Sequence, residues 1–322
     1  MSSETLEGSR PIFDRVAGLD GYLLAAIGAT LFSAKGILIK LAYQYGVEPV
    51  VLMTLRMLFG LPVYLFVFWH QLRKFSAVNT PATRWLCVMA LGVCGYYLAS
   101  WLDLLGLLYV PASIERIIIY TYPMLVVLMN ALIYRRVPSV SVIAGVVIVY
   151  CGLLMLFLPA IHGAADIGEA HFAEDMILGG LLIFGSAVAF ALFFVGSERL
   201  MLHIPSQLFT AVAMLSANVV IAAHFIAVSE WRALVSQADA VYGYAFLIAI
   251  FATVLPTFLI AAGIKRIGAS RGAIIGGISP SFTLVLGVIF LQESMNMLQF
   301  LGFLVVTLGV MSVGWLQRRS GS

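Results

Sequence analysis

PASIERIIIYTYPMLVVLMNALIYRRVPSVSVIAGVVIVYCGLL, residues 111–154, decides the fold, because its pattern returns in IGASRGAIIGGISPSFTLVLGVIFLQESMNMLQFLGFLVVTLGV, residues 267–310. Residues 107–156 and 264–313 align without a gap. Ala112 falls on Ala269, Ser113 on Ser270, Ile117 on Ile274 and Ile118 on Ile275. Pro123 falls on Pro280, Gly145 on Gly302 and Gly152 on Gly309, an offset of 157 residues (280 − 123). Both copies lie in sequence apolar enough for a membrane, so the chain reads as a duplicated bundle of membrane helices.

The composition agrees. Hydrophobic residues make up 62% of the 322 residues and charged residues only 10%, against roughly 45–50% and about 25% in soluble domains. The apolar excess collects in spans of about 20 residues, the length that crosses a bilayer. Gly, Pro and charge divide these into ten expected helices. They lie near 21–44, 48–69, 84–108, 111–134, 139–158, 177–198, 206–228, 241–264, 270–292 and 295–316.

Lys and Arg then set the orientation. Arg10, Arg15, Arg73, Lys74, Arg84, Arg135, Arg136, Arg199, Lys265, Arg266, Arg271, Arg318 and Arg319 all fall on one side of a ten-helix chain. The other side has Arg232, with Asp166, Glu169, Glu174 and Asp175 in the central linker. Both termini are therefore expected in the cytoplasm. Five helices per copy is an odd number, so the second copy enters the membrane upside down. The expected plan is a cytoplasmic tail 1–20, a five-helix repeat 21–158, a periplasmic linker 159–176, an inverted five-helix repeat 177–316 and a short tail 317–322.

Several classes find no support. Cys87, Cys94 and Cys151 sit in apolar spans without CxxC or CxxH spacing, and the histidines form no HExxH, so no metal or cofactor is expected. No GxxxxGK[ST] stretch is present, so ATP is not expected to drive the chain. The net charge of +3 gives no reason to expect nucleic acid. The first 20 residues lack the apolar core and cleavage site of a signal peptide and read as a polar tail.

LFSAKGILIKLAY (31–43), LRMLFGLP (55–62), the 111–154 stretch and the 267–310 stretch together resemble the drug/metabolite transporter superfamily, in its EamA-like branch. The resemblance covers nearly all of residues 21–316. It rests most on the Ala-Ser pair, the mid-helix Pro, the acidic helix end and the Gly in each copy's last helix. Glu293 matches the acidic residue ending the ninth helix, whereas the first copy has Arg136 there. The resemblance implies a ten-helix carrier of the bacterial inner membrane that exports or exchanges small organic solutes. Its central cavity would be lined by helices 1–4 and 6–9, with helices 5 and 10 at the edge.

Charges inside a bilayer cost about 2.5–3.5 kcal/mol each at a helix centre and normally face a cavity or a partner. Lys35 and Arg56 lie deep, and Asp103 is on helix 3. With Lys40, Glu115 and Arg116 this outer-side group sums to +2, favouring a solute that bears a carboxylate or phosphate. Asp103 and Glu115 are its carboxylates and the candidates for carrying a proton. Tyr97 and Trp101, four apart, share a helical face. They join Lys35, Arg56, Asp103, Tyr120 and Phe194 as candidate substrate-binding residues. Lys40 with Glu115 and Arg116 outside, and Glu198 with Arg271 inside, are candidate gates, set against ordinary interfacial charge. Pro123 and Pro280 are candidate hinges. Gly145 and Gly152, like Gly302 and Gly309, lie seven apart on one face, which fits a contact within one chain or a homodimer seam.

The expected function is secondary transport of small organic metabolites, leaning to amino acids or organic acids. An exporter of organic cations or drugs is the alternative. A non-transporting sensor would need a signalling domain that neither tail is long enough to hold. An intramembrane enzyme would need a nucleophile with its base, or a metal set, and neither is seen. A channel fits poorly with inverted copies that lack polar stripes. The partners expected are the solute and the lipid bilayer.

Overall fold

The computed structural model of the chain describes residues 12–74, 80–106, 109, 118–135, 138, 140–165, 172–279, 282 and 297–319. Among them every regular element is helical and no strand occurs. In order, α1 is Ile12–Tyr43, α2 Pro49–Lys74, α3 Ala82–Gly106, α4 Tyr122–Tyr134 and α5 Val140–Ala165. The second half holds α6 Phe172–Leu200, α7 Ser206–Val228, α8 Asp239–Ile267, α9 Ala269–Gly276 and α10 Met297–Arg319. Six stretches among the described residues are long and apolar enough to cross a membrane: Gly21–Tyr43, α2, α3, Ile177–Leu200, α7 and α8.

Helix extends further than polarity alone indicates. α1 starts at Ile12, α5 reaches Ala165 and α6 starts at Phe172, so helix takes up much of the expected break at 159–176. Ala160, Ala164 and Ala165 are strong helix formers. Polarity there marks the end of the apolar part, not the end of the helix.

Pro123 acts differently from the expected mid-helix kink. Ile118 and Ile119 are helical, a turn follows at Tyr120 and Thr121, and α4 begins with Pro123 in its first turn. The second copy repeats this: α9 stops at Gly276 and a turn follows at Gly277 and Ile278. Even the hydrogen bonds correspond. Thr121 N–H donates to the Ile118 carbonyl at 3.0 Å, and Ile278 N–H to the Ile275 carbonyl at 3.1 Å. Proline cannot donate to the preceding turn, and in lipid the loosened backbone needs other partners. Tyr150 Oη donates to the Tyr120 carbonyl at 2.7 Å, and Ser33 Oγ to the Ser279 carbonyl at 2.9 Å. Pro280 itself lies outside the described residues.

Packing follows the duplication. α1 packs on α8 as α6 packs on α3, and α2 on α8 as α7 on α3. Equivalent helices also pair with each other: α2 with α7, α4 with α9 and α5 with α10. These pairs run antiparallel. Gln71 meets Gln207 while Met57 meets Asn218, and Tyr122 meets Ala273 while Asn130 meets Ser270. Equivalent helices that run antiparallel are related by a two-fold axis across the helices, so one copy is inverted relative to the other.

Lipid tails are as apolar as leucine, so close van der Waals packing over small residues must hold such helices together. Gly92 lies directly on the Ala213 backbone. A Cβ on Gly152 would sit 2.7 Å from Val306 Cγ2 and 3.0 Å from the Gly302 carbonyl oxygen, and one on Gly309 would sit 2.8 Å from Ile148 Cγ2. The seven-residue glycine face is therefore a contact of α5 with α10 inside one chain. On the outside of this pair Ile143, Val147, Leu154, Leu301, Leu304 and Leu308 are exposed, an apolar row suited to lipid.

Candidate functional site

α3 and α8 each contain a wider turn. Val93–Leu98 and Ile250–Val254 are π-helical, and they start 157 residues apart (250 − 93). Ala99 N–H bonds the Cys94 carbonyl and Leu255 N–H the Ile250 carbonyl, each five residues back. Such turns insert one residue into the helix and rotate everything beyond it. The two wide turns flank a central cavity of ≈ 100 Å³.

The cavity uses equivalent positions of the two copies. Tyr96 and Thr253 both line it, as do Ser100 and Thr257, and Asp103 and Ile260, each pair 157 apart. α1 adds Phe32 and Lys35, α2 adds Arg56 and Met57, and α6 adds Ser186, Phe190, Phe193 and Phe194. Place is shared but chemistry is not: among the described residues the lining charges, Lys35, Arg56 and Asp103, come from the first copy.

Each polar group has a definite setting. Lys35 Nζ stands 5.1 Å from the Phe32 ring centroid, a cation–π contact. Arg56 is 6% exposed and its Nε has no hydrogen-bond partner among the described residues. Tyr43, Tyr64 and Asp103 lie within its electrostatic reach. Ser186 Oγ donates to the Ala99 carbonyl at 2.7 Å and ties α6 to α3. Ser100, Thr253 and Thr257 add hydroxyls to a wall that is aromatic on one side, with Tyr96 edge-on to Phe193 at 4.7 Å.

A second cavity of ≈ 60 Å³ shares Phe32, Phe190, Phe194 and Ile260 with the first. Beyond these four it is lined by Tyr120, Tyr122, Gly272, Gly276 and Ser279. The shared rings close on one another. Phe190 and Phe194 are 5.0 Å apart, and Tyr122 lies 5.2 Å from Phe190 and 5.5 Å from Phe194. An aromatic collar thus stands between two chambers, one charged and one bounded by the turns of α4 and α9.

Lys35, Arg56, Asp103 and Phe194 line the charged chamber, and Tyr120 the other. Tyr97 and Trp101 do not line either. Their shared face turns to α7, where His224 lies 5.8 Å from Tyr97 and 4.2 Å from Trp101. Tyr96 takes the cavity side in their place, because the wide turn at Val93–Leu98 sets which face of α3 looks inward.

Glu198 and Arg271 are not joined by an ion pair; Arg271 is half-buried on α9. Instead Glu198 Oε2 accepts the Ala269 N–H at 3.0 Å, a carboxylate at the positive end of α9. Asn130 Nδ2 donates to Ser270 Oγ at 2.9 Å and, more weakly, to Glu198 Oε2 at 3.4 Å. One end of α6 is thereby fastened to α4 and α9. Lys40 belongs to α1, with its side chain outside the described residues, as are Glu115, Arg116, Arg136 and Glu293. Sequence reasoning missed Tyr96, Thr253, Thr257, His224 and Asn130. Only Asn130 carried a usable signal, as an amide inside an otherwise apolar helix.

Comparison with known proteins follows the same outline. A solved protein structure superposes with a TM-score of 0.75 over 94% of this chain and 99% of its own, at 18% sequence identity. An uncharacterized transporter of Bacillus subtilis, YcbK, is 30% identical, over 89% of this chain and 91% of its own. An uncharacterized transporter of Synechocystis sp. is 25% identical, over 91% and 92% respectively. The EamA-like transporter family model matches twice, at residues 19–158 and 177–315, the two copies read from the repeat. The chain is a multi-pass membrane protein that belongs to the EamA-like transporter family.

Proposed function

We propose that the chain is a secondary carrier of small organic metabolites in the bacterial inner membrane, working by alternating access as an exporter or exchanger. It crosses the membrane ten times with both termini in the cytoplasm, and the linker between the copies is periplasmic. The observation that carries this reading is the central cavity, built from equivalent positions of two copies that pack as an inverted pair. An inverted pair has two related arrangements, one open to each side, and exchanging them moves whatever the cavity holds.

Lys35 and Arg56 outweigh Asp103, so the solutes favoured are amino acids or organic acids. Asp103 and Glu115 are the groups proposed to carry a proton. Glu198, capping α9 beside Asn130 and Ser270, is the proposed cytoplasmic latch, with Arg271 next to it. Lys40, Glu115 and Arg116 are its proposed outer counterpart. The breaks before Pro123 and Pro280 are the proposed hinges. Asp103 and the rings of Tyr96, Phe190 and Phe193 favour a second reading, export of organic cations.

Counterflow in proteoliposomes tests the carrier. Vesicles loaded with an unlabelled acid should accumulate the labelled acid transiently, without ATP. Absence of counterflow across a panel of amino acids, organic acids and organic cations would sink the carrier reading.

A further inference from the structure

Several serine and threonine hydroxyls inside these helices return their hydrogen to a carbonyl three or four residues back. Thr54 does so to Val50 at 2.8 Å, Thr257 to Val254 at 2.9 Å, Ser216 to Val212 at 2.8 Å and Thr307 to Phe303 at 2.8 Å. Thr253 does not. It is 6% exposed, lines the charged chamber, and its Oγ1 has no partner among the described residues. Thr253 lies in the π segment Ile250–Val254, where a backbone bond reaches five residues back.

Arg56 lines the same chamber with the same degree of burial, and its Nε likewise has no partner. α2 lies alongside the wide turn of α8: Met57 and Val254 share one buried cluster, and a Cβ on Gly60 would sit 3.3 Å from Val254. A donor-only guanidinium edge and a free hydroxyl therefore meet one space, from opposite copies of the repeat. A buried donor without an acceptor is costly, and the cost rises where water is scarce.

We infer that Arg56 and Thr253 form the subsite for the acidic group of the transported solute. One carboxylate can lie side-on to the guanidinium, accepting from Nε and a terminal nitrogen, while a further lone pair accepts from the Thr253 hydroxyl. A primary amide of the same shape has a single acceptor oxygen and no charge. The apolar body of the solute then lies against Tyr96, Phe190 and Phe193. Binding joins α2 of the first copy to α8 of the second. This rests on the carrier reading above and names which atoms hold the solute.

Thermal unfolding of the full chain in lipid nanodiscs tests it, with acid and amide probes in matched pairs: benzoate and benzamide, leucine and leucinamide, succinate and succinamide. At least one acid should raise the transition temperature while its amide leaves it unchanged. Thr253→Val should weaken that acid by about tenfold, while Thr253→Ser keeps its affinity. Arg56→Gln should weaken it by more than about a hundredfold, as charged hydrogen bonds warrant. Without ligand, Thr253→Val should unfold no lower than the parent, because it removes an unsatisfied hydroxyl; a merely structural threonine would lose stability. Thr210→Val, which removes another partnerless buried hydroxyl that lines neither chamber, should leave the affinity unchanged.

Equal shifts with acid and amide, no shift with any acid, or parental affinity in Thr253→Val overturns the subsite. Counterflow of the shifting compound separates the two ideas. Acid binding without counterflow leaves the subsite and removes the carrier. Counterflow of a cation or amide alone leaves the carrier and removes the subsite.

Discussion

The two copies share a backbone plan and differ in what they place on it. Asp103 in the first copy stands where Ile260 stands in the second, and Tyr96 where Thr253 stands. The wide turns, the breaks at Tyr120 and Gly277, and the pairing of α1 with α8 and α6 with α3 are held in common. Symmetry resides in packing and in backbone geometry, while the charges that the described residues bring to the cavity come from one copy. Alternation needs two equivalent scaffolds, whereas recognition of one solute needs a single arrangement of charge.

The largest effect should come from breaking the shared scaffold. Gly92→Leu would drive a side chain into the Ala213 backbone where α3 meets α7. Overpacking of this kind typically costs about 1–3 kcal/mol or more, and a backbone neighbour cannot step aside. Little folded protein should be recovered, read by monodisperse yield in detergent. Normal yield would mean that α3 and α7 are not held as described.

Breaking the asymmetry should leave the fold and remove the function. Arg56→Gln is expected to reduce counterflow of an acidic solute by about a hundredfold, from loss of a charged pair worth roughly 1.5–3 kcal/mol. Its unfolding temperature should stay at or above that of the parent. Thr257→Val, at the second copy's counterpart of Ser100, should change transport only a few-fold, since that hydroxyl is already held by Val254. Equal losses from both would erase the contrast between the copies.

The smallest effects sharpen the symmetry itself. Tyr150→Phe removes the donor to the Tyr120 carbonyl, and Ser33→Ala the donor to the Ser279 carbonyl. Each should lower stability by about 0.5–1.5 kcal/mol, the net worth of one hydrogen bond, read by denaturation in mild detergent. If the two breaks are equivalent hinges, both variants should also alter the counterflow rate in the same direction. Opposite directions would show that the two breaks serve different steps.

What was legible in the sequence followed from cost. Lys35, Arg56 and Asp103 stood out because charges in lipid demand a reason, and all three line the cavity. Glycine and proline marked the duplication because each fixes a backbone or packing requirement that must recur when the fold recurs. Tyr97 and Trp101 correctly shared a face, but the inserted residue of the wide turn rotated that face towards His224, and no helical period reveals such an insertion. Thr253 looked like any threonine in an apolar helix, because nothing in the sequence marks the wide turn that holds it. Glu198 signalled a contact at the right end of the molecule, yet its partner is a backbone N–H that no side-chain pattern displays.

The wide turns also bear on history. An extra residue at the same register in α3 and α8 is most simply a single insertion inherited twice. The ancestral unit was then a single copy of the repeat that already held the turn and paired antiparallel with a second copy of itself. In such a self-assembled pair every residue facing the cavity appears twice, so an arginine is met by an arginine across the axis. Joining the two in one gene let Asp103 persist opposite Ile260. Fusion thereby released the protein from having to recognise only solutes as symmetric as itself.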